Sequence, residues 1–125
     1  MKSLTEEIIK AWENREPVAV FATLDKDGVP NVIYIGCMGL YENRQFVVAD
    51  NYFDKTRKNI LNKSKGAILF KTKEGKAYQI KGSMDYETQG KRFDFMKSIN
   101  PPKHPGHAAA VLLPEEAYSG SKKLL

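Results

Sequence analysis

A basic segment follows an apolar run in the middle of the chain, and its residue types are those that bind anions. The apolar run is Phe46-Val47-Val48-Ala49, and the basic segment holds Lys55, Thr56 and Arg57. We predict a strand, a turn and then a helix that begins at about Asp54. The first amides of a helix lack partners within the helix and carry partial positive charge. Helix starts usually favour acidic residues, so cations there indicate that an anion binds, and we expect a phosphate.

The positive charge of the chain is concentrated around this segment. The 125 residues carry a formal net charge of +5, whereas residues 54–81 hold nine cations and only two acids, a local net charge of +7. Such a field attracts nucleic acid, phosphorylated cofactors or acidic substrates. We expect most of these lysines to be solvated surface residues that take no direct part in binding.

The other reactive residues form no catalytic pattern. The sequence contains no G-x-S-x-G nucleophile motif and no glycine-rich phosphate loop. His104 and His107, the only histidines, lie in a proline-rich segment without an acid or cysteine nearby, so we expect neither a metal site nor a catalytic residue there. We expect Cys37, the only cysteine, to be a small core residue at or just beyond the end of a strand.

Length and composition indicate the class of protein. The chain has the usual size of one domain, and we expect a single domain over residues 1–125. It has no apolar run near the roughly 18 residues that span a bilayer, and its polar N-terminus does not resemble a signal sequence. With one cysteine and no internal disulfide, we expect a soluble cytoplasmic protein.

A series of strands with three short helices must position the basic segment. A capping box of Ser3 and Glu6 predicts a first helix that runs to about Asn14, and further helices are predicted over about 54–62 and 88–99. The alternation of apolar residues and the hairpin turns predict six strands, over 18–24, 29–40, 45–49, 66–72, 77–86 and 108–113. The spacing favours a mainly β fold, a small antiparallel barrel.

Four segments in order carry a family resemblance. They are Val18 to Leu24 with Asp27-Gly28-Val29-Pro30, Val47 to Asn51 with Lys55 to Ile60, Gly66 to Phe70, and Tyr78 to Ser83. Their order and spacing resemble the pyridoxamine 5′-phosphate oxidase-like, FMN-binding split-barrel family, and within it the small FMN-binding flavoproteins. The resemblance implies a six-stranded antiparallel split β-barrel that forms a homodimer and binds FMN at the subunit interface.

The same resemblance assigns nine residues to the cofactor. They are Lys55, Thr56 and Arg57 at the phosphate; Ala49 and Asp50 at the ribityl chain or phosphate; Ile33, Tyr34 and Ile35 along the isoalloxazine through backbone contacts; and Gln79 at the polar edge of the ring. No catalytic residue is assigned, because the flavin itself would carry the redox chemistry. The strand over 32–37 and the segment over 119–125 lack the basic residues of the true oxidase, so the resemblance implies FMN binding rather than pyridoxamine oxidation.

Two alternatives remain open at the level of sequence. A small basic barrel could bind single-stranded nucleic acid with Tyr78, Tyr34 and Phe70 as stacking residues. A flavin-free relative could instead bind another cofactor such as haem, with His104 and His107 as the available ligands. Our first expectation is an FMN-dependent oxidoreductase or electron carrier, without a nucleic-acid or membrane partner and with an unidentified redox partner.

Overall fold

The strands of the protein form one antiparallel sheet that curls around an apolar core. The structure is a computed structural model that describes residues 3–125, so the first two residues of the predicted domain lie outside it. The elements are α1 (Glu6–Glu13), β1 (Ala19–Leu24), β2 (Pro30–Ile35), β3 (Met38–Tyr41), β4 (Gln45–Asp50), α2 (Lys55–Leu61), β5 (Gly66–Lys71), β6 (Ala77–Glu87), α3 (Lys91–Ile99), β7 (Ala108–Ser119) and β8 (Lys122–Lys123). The order in the sheet is β2-β1-β5-β6-β7-β4-β3, with β8 beside β7. This is the mainly β, split-barrel architecture that the sequence predicts.

The described residues form eight strands where six were predicted. The predicted strand over 29–40 divides at Gly36 and Cys37, because its first half pairs with β1 and its second half pairs with β4. The last predicted strand continues to Ser119, since β7 pairs with β6 along most of its length across a bulge at Lys81 and Gly82. The short β8 then pairs back onto the end of β7.

The first helix covers one end of the core. The predicted capping box is wrong by two residues, because Thr5 caps α1 by accepting a hydrogen bond from the Ile8 amide at 3.3 Å. This start directs Ile8 and Trp12 inward, as the predicted apolar stripe requires. The Trp12 ring meets Phe46 and Phe70 edge-on, with ring centroids 4.8 and 5.0 Å apart.

The third helix packs on the other face of the sheet. It begins at Lys91, three residues later than predicted, after Gly90 at φ +99°. Its Met96 joins a second core cluster with Val47 and Val111. Gly39 permits the close approach, since a Cβ there would lie within about 3 Å of the Phe95 and Ile99 side chains. At nine residues α3 is the longest helix in the described part of the chain, and no helix there is long and apolar enough to cross a membrane.

Candidate functional site

A cleft of about 420 Å³ lies where the two edges of the curled sheet approach each other. One wall is β2, which pairs only with β1 and therefore presents unpaired backbone groups on its other side. The opposite wall comes from the end of β4 and the turn over 51–54. Gly36 and Cys37, which connect β2 to β3, line the cleft between these two walls. An edge strand beside an apolar wall offers hydrogen bonds and packing to a flat ligand.

Six of the nine predicted site residues line this cleft: Ile33, Tyr34, Ile35, Ala49, Lys55 and Thr56. The alternation of β2 turns Ile33 and Ile35 toward the interior, opposite Phe21 and Ala19 of β1. Tyr34 points the other way and is 80% exposed. The cleft therefore has an apolar inner side and an aromatic residue at its outer side.

One end of the cleft is suited to an anion. Thr56 is buried, and its hydroxyl oxygen accepts a hydrogen bond from the Asn31 amide nitrogen at 3.0 Å. The hydroxyl proton remains available to an incoming acceptor. Lys55 lines the same end, and no carboxylate of the described residues lies within 4.0 Å of its ammonium group. Asn31 was not among the predicted site residues. It lies two residues before Ile33 on β2 and therefore points to the same inner side, and this alternation is the signal that could have identified it.

Asp50 and Arg57 were also assigned to the cofactor, but the structure pairs them with each other. Arg57 donates to the two Asp50 carboxylate oxygens at 2.7 and 3.1 Å. The Tyr86 hydroxyl donates to the same carboxylate at 2.6 Å, and the Phe53 amide donates at 3.0 Å. Neither Asp50 nor Arg57 lines the cleft. A fully buried carboxylate requires such partners, which explains why the arginine turns toward it instead of toward solvent.

The pKa shifts keep Asp50 and Arg57 charged and Tyr86 neutral at neutral pH. Burial opposes the charge of Asp50, but the hydrogen bonds from Arg57, Tyr86 and the Phe53 amide outweigh it and lower the carboxyl pKa. Burial and the bond to Asp50 raise the pKa of Tyr86 to about 12. The same carboxylate raises the pKa of Arg57. This cluster fastens the start of α2 to the end of β4, and so positions Lys55 and Thr56.

Gln79 is not brought into the cleft by this chain. It lies on β6, beside a separate shallow depression that Lys65 and Lys81 also line. The strand register places Gln79 in a row with Leu69, Val20 and Tyr34 across the outer face of the sheet. The contact of Gln79 with the ring therefore stays a prediction.

Two residues that line the cleft, Cys37 and His104, were not predicted as site residues. Cys37, expected in the core, packs half-buried against the second core cluster and also lines the cleft as a free thiol. His104, expected as a loop residue, lines the cleft beside Tyr52, with the Tyr52 hydroxyl 3.1 Å from His104 Nδ1. Tyr52 and His104 are 52 residues apart, so no local pattern could join them. Within residues 3–125, no three His, Cys, Asp or Glu side chains are placed to hold a metal ion.

The aromatic residues that could stack on nucleic acid are mostly core residues. Phe70 and Tyr78 are buried, and their rings stack on each other with centroids 5.5 Å apart. Only Tyr34 of the three is exposed. The structure therefore removes two of the three stacking residues on which that interpretation depends.

Comparison with known proteins agrees with the fold and the order of motifs. The family described as pyridoxamine 5′-phosphate oxidase matches residues 4–119. An uncharacterised protein of Methanocaldococcus jannaschii is 33% identical over 118 residues, which cover 90% of this chain and 78% of that protein. The crystal structure of HupZ from Group A Streptococcus has a TM-score of 0.82 at 24% identity, covering 98% of both chains. An FMN-binding protein from Syntrophomonas wolfei has a TM-score of 0.73 at 17% identity, covering 87% of this chain and 80% of that one. The chain belongs to the pyridoxamine 5′-phosphate oxidase family.

Proposed function

We propose that the protein binds FMN in the cleft beside β2 and acts as a flavin-dependent oxidoreductase or electron carrier. The observation that carries the proposal is the meeting of an anion-binding end, Lys55 and Thr56, with an apolar wall and a free strand edge in one cleft. Its volume of about 420 Å³ lies within the range of cofactor sites. The solved neighbour described as an FMN-binding protein has the same fold, which supports the choice of ligand.

Each part of the cleft suits a different part of FMN. Lys55 supplies a positive charge and Thr56 a hydroxyl donor to the phosphate, with Asn31 holding the Thr56 side chain in place. The unpaired backbone of β2 lies where the flavin ring would form hydrogen bonds, and Ile33 and Ile35 exclude water from the inner side. When bound, the flavin would transfer a hydride or single electrons, and these residues would orient and shield it.

The proposed form is a homodimer. The outer face of β2, β1 and β5 exposes large apolar side chains, among them Val32, Tyr34, Leu24 and Leu69. Contiguous apolar residues of this kind on a sheet face are typical of interaction surfaces. Tyr34 belongs both to this face and to the cleft, so a partner seated on the face would border the cofactor site.

FMN binding is tested by spectroscopy and calorimetry. The purified protein should be yellow, or should become yellow on addition of FMN, and denaturation should release FMN. FMN should bind more tightly than riboflavin, because only FMN carries the phosphate that Lys55 and Thr56 would hold. A colourless protein that takes up neither flavin would refute the proposal, and equal affinities would refute the phosphate site.

The dimer is tested by light scattering coupled to size-exclusion chromatography. Leu69→Glu places a charge on the apolar outer face and should convert the dimer to monomer. Leu61→Glu changes another exposed leucine, on α2 and away from that face, and should leave the dimer intact. A monomeric wild-type protein, or a dimer that survives Leu69→Glu, would contradict the proposed interface.

A further inference from the structure

The wall of the cleft formed by Tyr52 and His104 is not assigned to FMN in the proposed function. We propose that these two residues form the substrate subsite. The subsite takes a planar conjugated carbonyl compound, and His104 donates a proton to the carbonyl oxygen during its reduction. This inference rests on the proposed function, because the cleft must hold the flavin that provides the electrons. It assigns a catalytic role to a histidine that the sequence did not distinguish from an ordinary loop residue.

The two rings are held together in an arrangement that leaves one nitrogen of His104 available. Their centroids lie 5.6 Å apart at an interplanar angle of 84°, and the Tyr52 hydroxyl lies 3.1 Å from His104 Nδ1. Nε2 has no hydrogen-bond partner among the described residues. With Nδ1 protonated and donating to the Tyr52 oxygen, Nε2 can give up or regain a proton while that hydrogen bond stays in place.

The loop that carries His104 is fastened at both ends by buried polar contacts. Asn51 and Asn100 exchange two side-chain hydrogen bonds, of 3.0 and 2.9 Å. The Gly106 amide donates to the Asn51 side-chain oxygen at 2.8 Å, and the His107 amide donates to the Asp50 carbonyl at 2.8 Å. A surface connection between α3 and β7 does not need this network. The network instead fixes the position of His104 in the cleft wall, as a catalytic group requires.

Gly106 adds a steric requirement to the same loop. Its φ is +55°, and a Cβ there would lie 3.0 Å from Asn100 Nδ2 and 3.1 Å from Lys97 Nζ. Lys97 in turn donates to the Pro105 carbonyl at 3.1 Å. The loop therefore packs tightly against α3 on its far side, and His104 is presented on the cleft side.

The surroundings of the two rings define the class of substrate. Val48 and Phe53 contribute apolar wall to the same cleft, which suits a flat hydrocarbon ring. The other titratable groups that line the cleft are Tyr34, Cys37, Asp54 and Lys55, and no carboxylate of the described residues forms an ion pair with His104. With Lys55 assigned to the phosphate, we take the imidazole as the donor at this apolar wall, and an uncharged carbonyl oxygen is a suitable acceptor for it.

The proposed step balances in atoms and electrons. Reduction of a quinone to its hydroquinone requires a hydride and a proton. When bound, the reduced flavin would supply the hydride to the first quinone oxygen and would stay in the cleft in its oxidised form. At His104 the Nε2–H bond breaks, an O–H bond forms on the second quinone oxygen, and the neutral imidazole regains its proton from water. General acid catalysis of this kind contributes about 10²- to 10⁴-fold in rate.

The test uses the FMN-loaded full chain with menadione as the probe. With the flavin oxidised, no electrons can pass from the protein to menadione. A shift of the His104 ring nitrogen NMR resonances on titration with menadione therefore reports binding alone. In the dithionite-reduced protein, anaerobic mixing with menadione gives the rate of flavin oxidation. We expect the resonances to shift, and His104→Gln to slow oxidation about 100-fold or more while FMN affinity stays within twofold of wild type.

Two further variants separate catalysis from loop structure. His107→Gln changes the other histidine of the loop, which does not line the cleft, and should leave the rate unchanged. Tyr52→Phe keeps the ring but removes the hydroxyl, and should slow oxidation less than His104→Gln. Unmoved His104 resonances, or a wild-type rate in His104→Gln with normal FMN uptake, would overturn the subsite alone. Failure to take up FMN would overturn both this inference and the proposed function.

Discussion

Lys55 and Arg57 lie two residues apart on α2, and we expect truncation of each to affect a different property. Lys55 is a solvated cation at the anion-binding end of the cleft, whereas Arg57 is bound to the buried carboxylate of Asp50. Lys55→Ala should therefore weaken FMN binding and leave stability unchanged. Arg57→Ala should destabilise the protein and have little direct effect on the phosphate.

The magnitudes follow from these contacts. A hydrogen bond to a charged group is worth about 1.5–3 kcal/mol, so Lys55→Ala should weaken FMN about 10- to 150-fold. Removing one partner of a buried ion pair costs about 3–5 kcal/mol. Asp50 is fully buried, but the Arg57 side chain is 36% exposed and Asp50 keeps its bonds from Tyr86 and Phe53. We therefore expect Arg57→Ala to cost about 2–3 kcal/mol, or roughly 8–12 °C in Tm for a domain of this size.

Two measurements on each variant decide the matter: urea unfolding followed by circular dichroism, and FMN titration at a temperature where all variants are folded. Lys58→Ala is the matched control, because this exposed lysine approaches only Asp54, at 3.9 Å, and should change neither quantity by more than about 0.5 kcal/mol. If Arg57→Ala weakens FMN as much as Lys55→Ala and leaves the unfolding free energy unchanged, Arg57 is a phosphate ligand and the pairing with Asp50 is wrong.

The remaining predictions concern buried contacts and close approaches that hold the fold together. Because folding lowers the pKa of Asp50, this carboxylate contributes stability above its ordinary pKa of 3.8, and that contribution is lost as the pH falls through the lower folded value. Asp50→Asn should therefore be less stable than wild type at neutral pH and should flatten the decline of unfolding free energy as the pH falls below about 4. Gly82→Ala should lower the free energy of unfolding in urea by about 3 kcal/mol or more, because the added Cβ would overlap the Leu113 carbonyl oxygen. Gly36→Ala is the control and should be tolerated, because a Cβ there would lie 3.8 Å from the nearest atom. Asn51→Ala should increase amide hydrogen exchange in the loop after α3 without releasing FMN, and unchanged exchange would contradict the anchoring role of this residue.

The fold could be predicted largely because its signals are local. Turn residues such as Gly28 and Gly75 separate runs of alternating apolar residues, and four of the six runs became strands close to their predicted bounds. The division of the segment over 29–40 could not be seen in this way. Both halves are apolar, and the break at Gly36 arises because β2 and β3 form opposite edges of the sheet, where β2 pairs with β1 and β3 pairs with β4.

Part of the candidate site could also be predicted from local features of the sequence. The types and spacing of Lys55 and Thr56 indicated an anion site, and both line the cleft. The sequence could not show that Arg57 turns toward Asp50, because that depends on how deeply the end of β4 is buried. His104 was missed for a different reason, since its partner Tyr52 lies far away in sequence and meets it only through the tertiary fold.

Asp50 connects the two halves of the site, which explains why an acid is tolerated beside a proposed phosphate. Its carboxylate holds Arg57, and with it the helix that presents Lys55. Its carbonyl oxygen accepts the His107 amide and so holds the loop that presents His104. The negative charge is satisfied by three donors within the protein and does not line the cleft, so it costs the anion site little. A residue that seems unfavourable in the linear sequence thus supports both the proposed cofactor-binding wall and the proposed substrate-facing wall.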